Sequence, residues 1–387
     1  MRVLIAPDKF KGSLTATEVA CCVKKALLAY QPTLETILRP VADGGEGTAE
    51  VLATATNGQL CTVRVSDPLF RPVDATYGIS GDGQTAFVEM AQASGLNLLA
   101  PEERNPMLAT TFGTGELIRD AIGRGVKEVV LCIGGSATTD AGMGMAAALG
   151  YEFLDKKNVP LHPVGQSMRY VDRIWRASLD IDLRSIRFRV ACDVENPLFG
   201  PNGAASIYGP QKGASPKMVK ELDKGLQTIA NVLKRDFGID EADKPGSGAA
   251  GGLGYGARVF LKATFQNGFD LVSEMLDIAG EINRTDLIIT GEGSLDAQTL
   301  EGKVIAGLAR LGLSHGVPVV AFCGRQALSQ GQLQHLGLAE AIAITPVSMA
   351  LSEAMVQAPA LLDMATRYWA TTRLGLYDKT QFSCKPI

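Results

Sequence analysis

The stretch Ile133–Gly144 reads IGGSATTDAGMG and gathers glycines around one serine, two threonines and one aspartate. The apolar run Glu128–Cys132 precedes it and the helix-like MAAALG follows. Free N–H groups at a helix start favour an anion, and glycines let an oxyanion approach the backbone. Ser136, Thr138 and Thr139 add hydroxyl donors. Asp140 reads equally as a helix cap or as part of a binding loop.

Two further loops repeat the pattern of strand, acid, glycine and hydroxyl. Asp43-Gly44-Gly45-Glu46-Gly47-Thr48 follows the strand-like Thr36–Val41, and Gly291-Glu292-Gly293-Ser294-Leu295-Asp296 follows Leu287–Thr290. Any single carboxylate here reads as a turn former. Three such loops together supply what a Mg²⁺–nucleotide complex needs, because Mg²⁺ takes one or two carboxylates plus phosphate oxygens. Lys11 lies in Pro7–Ser13 (PDKFKGS) next to Asp8, and Lys212 lies in Gly209–Gly213 (GPQKG). A lysine in such a loop can reach a phosphate or a carboxylate. Asp193 follows the apolar strand FRVAC. In phosphoryl transfer an aspartate can accept the proton of the attacking hydroxyl.

The elements that must position these residues are α/β units. Val3–Ala6, Thr36–Val41, Val129–Ile133, Phe188–Ala191, Leu287–Thr290 and Val317–Phe322 are apolar runs that lead through glycine or acidic turns into helical periodicity. Mainly parallel sheets follow, and ligands of such sheets bind beyond the carboxyl ends of the strands. Thr15-Ala-Thr-Glu18 fits a capping box before a helix. Leu60–Ser66, Val73–Ser80 and Thr85–Met90 alternate and are joined by short turns, which predicts an antiparallel meander. That meander suggests entry into a second domain. The expected split is 1–76 plus 262–387 as one α/β domain, interrupted by 77–261. Residues from Thr371 to Ile387 lack periodicity and read as a tail.

Composition narrows the function classes. A chain of 387 residues is long enough for two or three domains. A net charge of -4 argues against nucleic acid as a partner. The 43 glycines concentrate in short loops, as close backbone approach to a ligand would require. The seven cysteines are odd in number and form no C-x-x-C, so reduced thiols and a cytoplasmic setting are expected. No signal peptide or spanning segment is read, so no membrane partner is expected. The three histidines are scattered, which disfavours zinc. No Walker loop, no dinucleotide fingerprint after the first strand and no G-x-S-x-G elbow occur, and the protein-kinase pair H-R-D and D-F-G is missing as a set.

The blocks IAPDKFKGSLTATEVA, PVADGGEGTAEVLA, IGGSATTDAGMGMAAALG, ACDVENPLFGPNGAASIYGPQKGAS, GAAGGLGYGA and ITGEGSLDAQTLEGK resemble the signature blocks of the bacterial glycerate kinase family. The resemblance runs in order from about residue 1 to about 370. It departs at Lys9, where a small polar residue is more usual, and after about Thr371. It implies an ATP-dependent kinase of D-glycerate with 2-phosphoglycerate as product. It also implies two α/β domains, one a Rossmann-like parallel-sheet domain interrupted by an inserted second α/β domain, with the active site in the cleft between them. ATP and Mg²⁺ are the implied cofactors, and a homodimer is among the partners considered.

By matching motif, Lys11 and Ser13 belong to the first loop. Asp43 and Glu46 belong to DGGEGT, Ser136 and Asp140 to GGSAT, Asp193 to ACDV, Lys212 to PQKGA, and Glu292 and Asp296 to GEGSLD. The expected roles are Asp193 as proton acceptor and Lys11 as catalytic cation. Ser13, Gly134, Gly135, Ser136, Asp140 and Lys212 are expected around substrate or phosphate. Gly44, Gly45, Gly291, Gly293 and Ser294 are expected at the nucleotide, and Asp43, Glu292 or Asp296 at Mg²⁺. The alternatives are a kinase of another small hydroxy acid, or a non-enzymatic sugar-acid sensor.

Overall fold

The computed structural model describes residues 1–176, 182–296, 299 and 304–377. Among these the strands are, in chain order, β1 (Arg2–Ile5), β2 (Glu35–Leu38), β3 (Gln59–Ser66), β4 (Pro72–Ile79) and β5 (Thr85–Glu89). Next come β6 (Glu128–Cys132), β7 (Tyr151–Leu154), β8 (Arg173–Arg176), β9 (Arg187–Ala191) and β10 (Thr264–Gln266). The last are β11 (Leu287–Leu295), β12 (Val319–Gln326) and β13 (Glu340–Ala343). The chain forms two compact units, Met1–Asp43 with Phe269–Ile387, and Gly44–Gly268.

The first unit holds a five-stranded sheet in the order β13-β12-β11-β1-β2, and every pairing is parallel. Strands buried on both faces read as continuous apolar runs, which is why VLIA and LIIT were legible. The chain leaves β1 toward β2 on one side, while β11, β12 and β13 extend the other side. The order therefore reverses between β1 and β11, the place where open α/β sheets bind ligands. Helix Ala16–Tyr30 starts with the expected box, in which Thr15 accepts from the Glu18 N–H and Glu18 from the Thr15 N–H. Its face Val19, Val23 and Leu27 joins Val3, Ile5 and Ile289 in the core.

The second unit holds a six-stranded sheet in the order β10-β9-β6-β5-β4-β3. The pairs β10–β9, β9–β6 and β6–β5 are parallel, while β5–β4 and β4–β3 are antiparallel. The predicted meander is present, but it forms one edge of this sheet. The boundary expected at 76/77 falls inside β4, so hydrogen bonding keeps both sides of it in one unit. The boundary expected at 261/262 falls at the end of helix Ala249–Leu261, and β10 beyond it still pairs with β9. A two-stranded antiparallel ribbon, β7–β8, completes the strands.

One smaller expectation is also revised. Residues 371–377 are helical, continuing helix Leu351–Arg373 into a 3₁₀ turn that buries Leu374 beside Trp369; 378–387 lie outside the described residues. The chain's Asp236-Phe237-Gly238 tripeptide is a helix end, with Gly238 in the left-handed conformation capping Pro216–Phe237. Among the described residues no helix is long and apolar enough to cross a membrane.

Candidate active site

In the first unit the predicted residues lie at the strand-order reversal. The loop after β1 keeps pairing with β11, as the Ala6 N–H donates to Ile289 and the Asp8 N–H to the Gly291 carbonyl. Loop and strand end are so close that a methyl group on Gly293 would lie 3.2 Å from the Lys11 backbone nitrogen. Lys11 itself is exposed, and the Ser13 hydroxyl donates to the Phe10 carbonyl at 3.1 Å. Lys11, Ser13, Gly291, Glu292, Gly293, Ser294 and Asp296 thus share the end of β1 and β11.

The carboxylates expected at a metal are differently placed. Glu292 is buried and accepts from the Thr299 hydroxyl, while the Ser294 hydroxyl donates to Asp296 at 3.0 Å. Asp43 is half-buried at the end of the first segment of this unit. Among the described residues no group of three or more His, Cys, Asp or Glu side chains is placed to hold a metal. Hard carboxylate oxygens in ones and twos, as at Glu292 and Asp296, fit Mg²⁺, which keeps waters and phosphate oxygens for the rest of its shell.

In the second unit the ends of β6 and β9 bring predicted residues beside Gly44 and Gly45. A methyl on Gly44 would sit 2.8 Å from the Ala191 Cβ at the end of β9 and 3.1 Å from the Gly268 Cα beyond β10. A methyl on Gly134, after β6, would sit 3.6 Å from the Gly45 Cα. Asp193, just past β9, is exposed, and its Oδ1 accepts from the Gly268 N–H at 2.7 Å. Gly44, Gly45, Gly134 and Asp193 are therefore neighbours. The Gly134–Ser136 segment is braced from the end of β5, because the Leu96 N–H donates to Gly135 and the Ala137 N–H to Ser94.

Asp140 is not available to a ligand. It is fully buried, and its carboxylate accepts from the Thr111 N–H and Thr111 hydroxyl at 2.8 Å each and from the Gly142 and Gly144 N–H groups at 3.1 Å each. The anion at the start of helix Met143–Ala148 is thus the chain's own. This corrects the expectation of a bound phosphate there, and confines exposed glycine backbone to Gly134 and Gly135. Burial raises the Asp140 carboxyl above its ordinary value, and the four donors oppose that rise.

Lys212 is also inward. It is 2% exposed, and its ammonium donates to the Ser136 hydroxyl and the Thr138 carbonyl, both at 2.7 Å. Burial pushes it down to about 7, against the pull of the Asp140 charge. Its position corrects the picture of a lysine reaching out to an anion: it braces the glycine loop from beneath. A third buttress is the glycine block Ala249–Gly256. Ala250, Gly251 and Gly252 all have positive φ, and a methyl on Gly251 would sit 2.0 Å from the Thr138 carbonyl oxygen. Glycine is required there both by conformation and by space.

Sequence reading missed two residues of this unit. Glu89 ends β5, is buried, and accepts from the Ala49 N–H at 2.8 Å, so it caps helix Thr48–Ala55, whose own cap residue is Gly47. An acid closing the apolar strand TAFVE was the available signal. Thr111, which holds Asp140, carried no local signal.

The Glycerate kinase family model matches residues 3–373. The chain is 42% identical to a glycerate kinase of Halalkalibacterium halodurans over 368 residues, covering 94% of this chain and 96% of that one. It is 41% identical to the glycerate 2-kinase of Escherichia coli K12 over 372 residues, covering 96% and 98%. A crystal structure of a candidate glycerate kinase 2 from Salmonella typhimurium LT2 superposes with a TM-score of 0.88 at 38% identity, covering 98% and 99%. The chain belongs to the glycerate kinase family and is an enzyme of that class.

Proposed function

We propose that the chain transfers the γ-phosphoryl group of ATP to the 2-hydroxyl of D-glycerate, giving 2-phosphoglycerate and ADP in a cytoplasmic setting. The observation that carries this reading is the exposed Asp193 carboxylate at the end of β9, fixed by the Gly268 N–H at 2.7 Å beside the Gly44 backbone. The 41% identity to a protein named glycerate 2-kinase supports the choice of hydroxyl.

In this mechanism Asp193 accepts the hydroxyl proton as the substrate oxygen attacks the γ-phosphorus, and the β–γ bridging oxygen leaves with ADP. The hydrogen bond from Gly268 orients the carboxylate before substrate arrives, which lowers the entropic part of the barrier. Gly134 presents exposed backbone without a side chain, so a phosphate oxygen can approach it. Lys11, exposed in the first unit, offsets charge on the transferring group. Ser13, Gly291, Gly293 and Ser294 serve the nucleotide. Glu292 or Asp296 would hold Mg²⁺, which neutralises phosphate charge when bound.

The test is phosphorus NMR of the product formed from ATP and D-glycerate. In 2-phosphoglycerate the phosphate is on a carbon bearing one hydrogen, so the signal is a doublet. A triplet would mean the terminal hydroxyl and would overturn the regiochemistry. ADP release with another hydroxy acid in clear preference to glycerate would replace the substrate.

A further inference from the structure

We infer that the outer face of helix Leu351–Arg373 is the contact between two copies of this chain, which pair about a two-fold axis at Ala360. The inference is independent of the kinase reading. The helix already has a core face: Ala354, Ala358, Leu361, Leu362 and Trp369 recur at three- and four-residue spacing and are buried with Val3, Ile289 and Phe322. An ordinary surface helix is polar on the opposite side. Here a second row, Val356, Ala360, Met364 and Tyr368, recurs at every fourth residue and faces solvent. Val356 is 83% exposed, Met364 61% and Tyr368 72%. Single exposed apolar side chains need no account, but a continuous row of them marks an interaction site.

The order of residues along the face selects a second copy as its occupant. A two-fold contact must be self-complementary, because each copy presents the same patch to the other. With the axis at Ala360, a residue before it meets the residue equally far after it in the partner copy. Val356 then meets Met364, and further out Glu353 meets Arg367, opposite charges at the ends of an apolar strip. Ala360 meets its own copy, and the smallest side chain of the row at the crossing lets the two helices approach. Both charges are steadied within the helix: the Gln357 amide donates to Glu353 at 3.0 Å, and the Arg367 Nε donates to Asp363 at 2.7 Å. A parallel pairing would set Glu353 against Glu353 and Arg367 against Arg367, so like charges exclude it. From Glu353 to Thr371 the face runs about 27 Å. Faces of that length on both copies reach the roughly 1,000 Å² in total that a small specific interface buries.

The experiment is sedimentation velocity of the full chain over a concentration series. Wild type is expected to pass from the 40.9 kDa monomer to twice that mass within roughly 1–100 µM, as suits a small interface. Ala360→Glu sets a carboxylate against its own copy on the axis and should raise the dimer Kd at least about tenfold. The position is exposed, so the melting temperature of the variant, read below the dimer Kd, should stay near that of wild type. Dimerisation that Ala360→Glu leaves intact overturns the inference. Should that variant fail to fold, the charge pair gives a second reading. Glu353→Arg alone faces Arg367 and weakens the dimer, Arg367→Glu alone faces Glu353 and does the same, and the double swap restores it. A double swap no tighter than either single one overturns the inference. So does a wild type that is monomeric throughout the series, the row being then covered within the chain or left to a different protein. No arm reads turnover, so failure here leaves the kinase reading standing, and an inactive chain that dimerises as expected leaves the contact standing.

Discussion

The Asp140 carboxylate accepts both the backbone N–H and the hydroxyl of Thr111, each at 2.8 Å, across 29 positions of sequence. The Thr111 oxygen in turn accepts from the Met145 N–H at 2.8 Å. Thr111 and Asp140 thus join the starts of helices Phe112–Gly123 and Met143–Ala148, and the glycine loop before Asp140 is hung from that joint. The carboxylate in the middle of IGGSATTDAGMG is there to satisfy donors that would otherwise be buried and unpaired.

Asp140→Ala is therefore expected to act on stability. It orphans several buried donors, each costing about 1–3 kcal/mol, and the expected loss is roughly 3–5 kcal/mol. Urea unfolding measures it. A change below about 1 kcal/mol would mean that the joint is not formed.

Lys212 gives stability a dependence on pH. Its folded value is depressed to about 7 from an ordinary 10.5, so between those values the unfolded chain binds the extra proton. Stability from this group rises with pH across that window and is flat below it, with a slope of at most about 1.4 kcal/mol per pH unit. Paired urea titrations of wild type and Lys212→Met at pH 7.5 and 9.5 read the difference in slope. The variant should lose the rise; parallel slopes would refute it.

Gly251 and Gly83 separate conformation from space. Both have positive φ, +68 and +69, but a methyl at Gly83 meets nothing within 4 Å, whereas at Gly251 it meets the Thr138 carbonyl at 2.0 Å. Gly83→Ala should cost about 1 kcal/mol, the backbone penalty alone. Gly251→Ala should cost clearly more, because the glycine loop must move. Thermal unfolding ranks the two, and equal costs would show that the loop yields freely.

What was legible in the sequence was whatever is local. The Thr15–Glu18 box and the apolar parallel strands depend on neighbours within a few residues, and so they could be read. Thr111 with Asp140 and Glu89 with Ala49 are tertiary pairings with no periodic trace. Lys212 misled because a lysine in a glycine turn looks the same whether it points out or is buried beneath a loop. The domain edge misled because alternation in β4 marks a half-exposed strand, and that says nothing of which sheet the strand completes. Reading Asp193 as the residue just past a strand needed only the apolar run before it, which is β9.

Asp193→Asn tests the proposed proton acceptor without dismantling its surroundings. The Asn carbonyl oxygen can still accept from the Gly268 N–H, and the position is exposed, so stability should stay within about 0.5 kcal/mol of wild type. What the amide cannot do is take up a proton from the attacking hydroxyl. Loss of a positioned base lowers kcat by roughly 10²–10⁴-fold. The KM values for ATP and D-glycerate should move far less, because the amide keeps the shape and the hydrogen bond of the carboxylate. Steady-state ADP release over a range of both substrates gives the three constants. A folded Asn variant with kcat within about threefold of wild type would mean that the hydroxyl loses its proton elsewhere, and the reaction would need a different base.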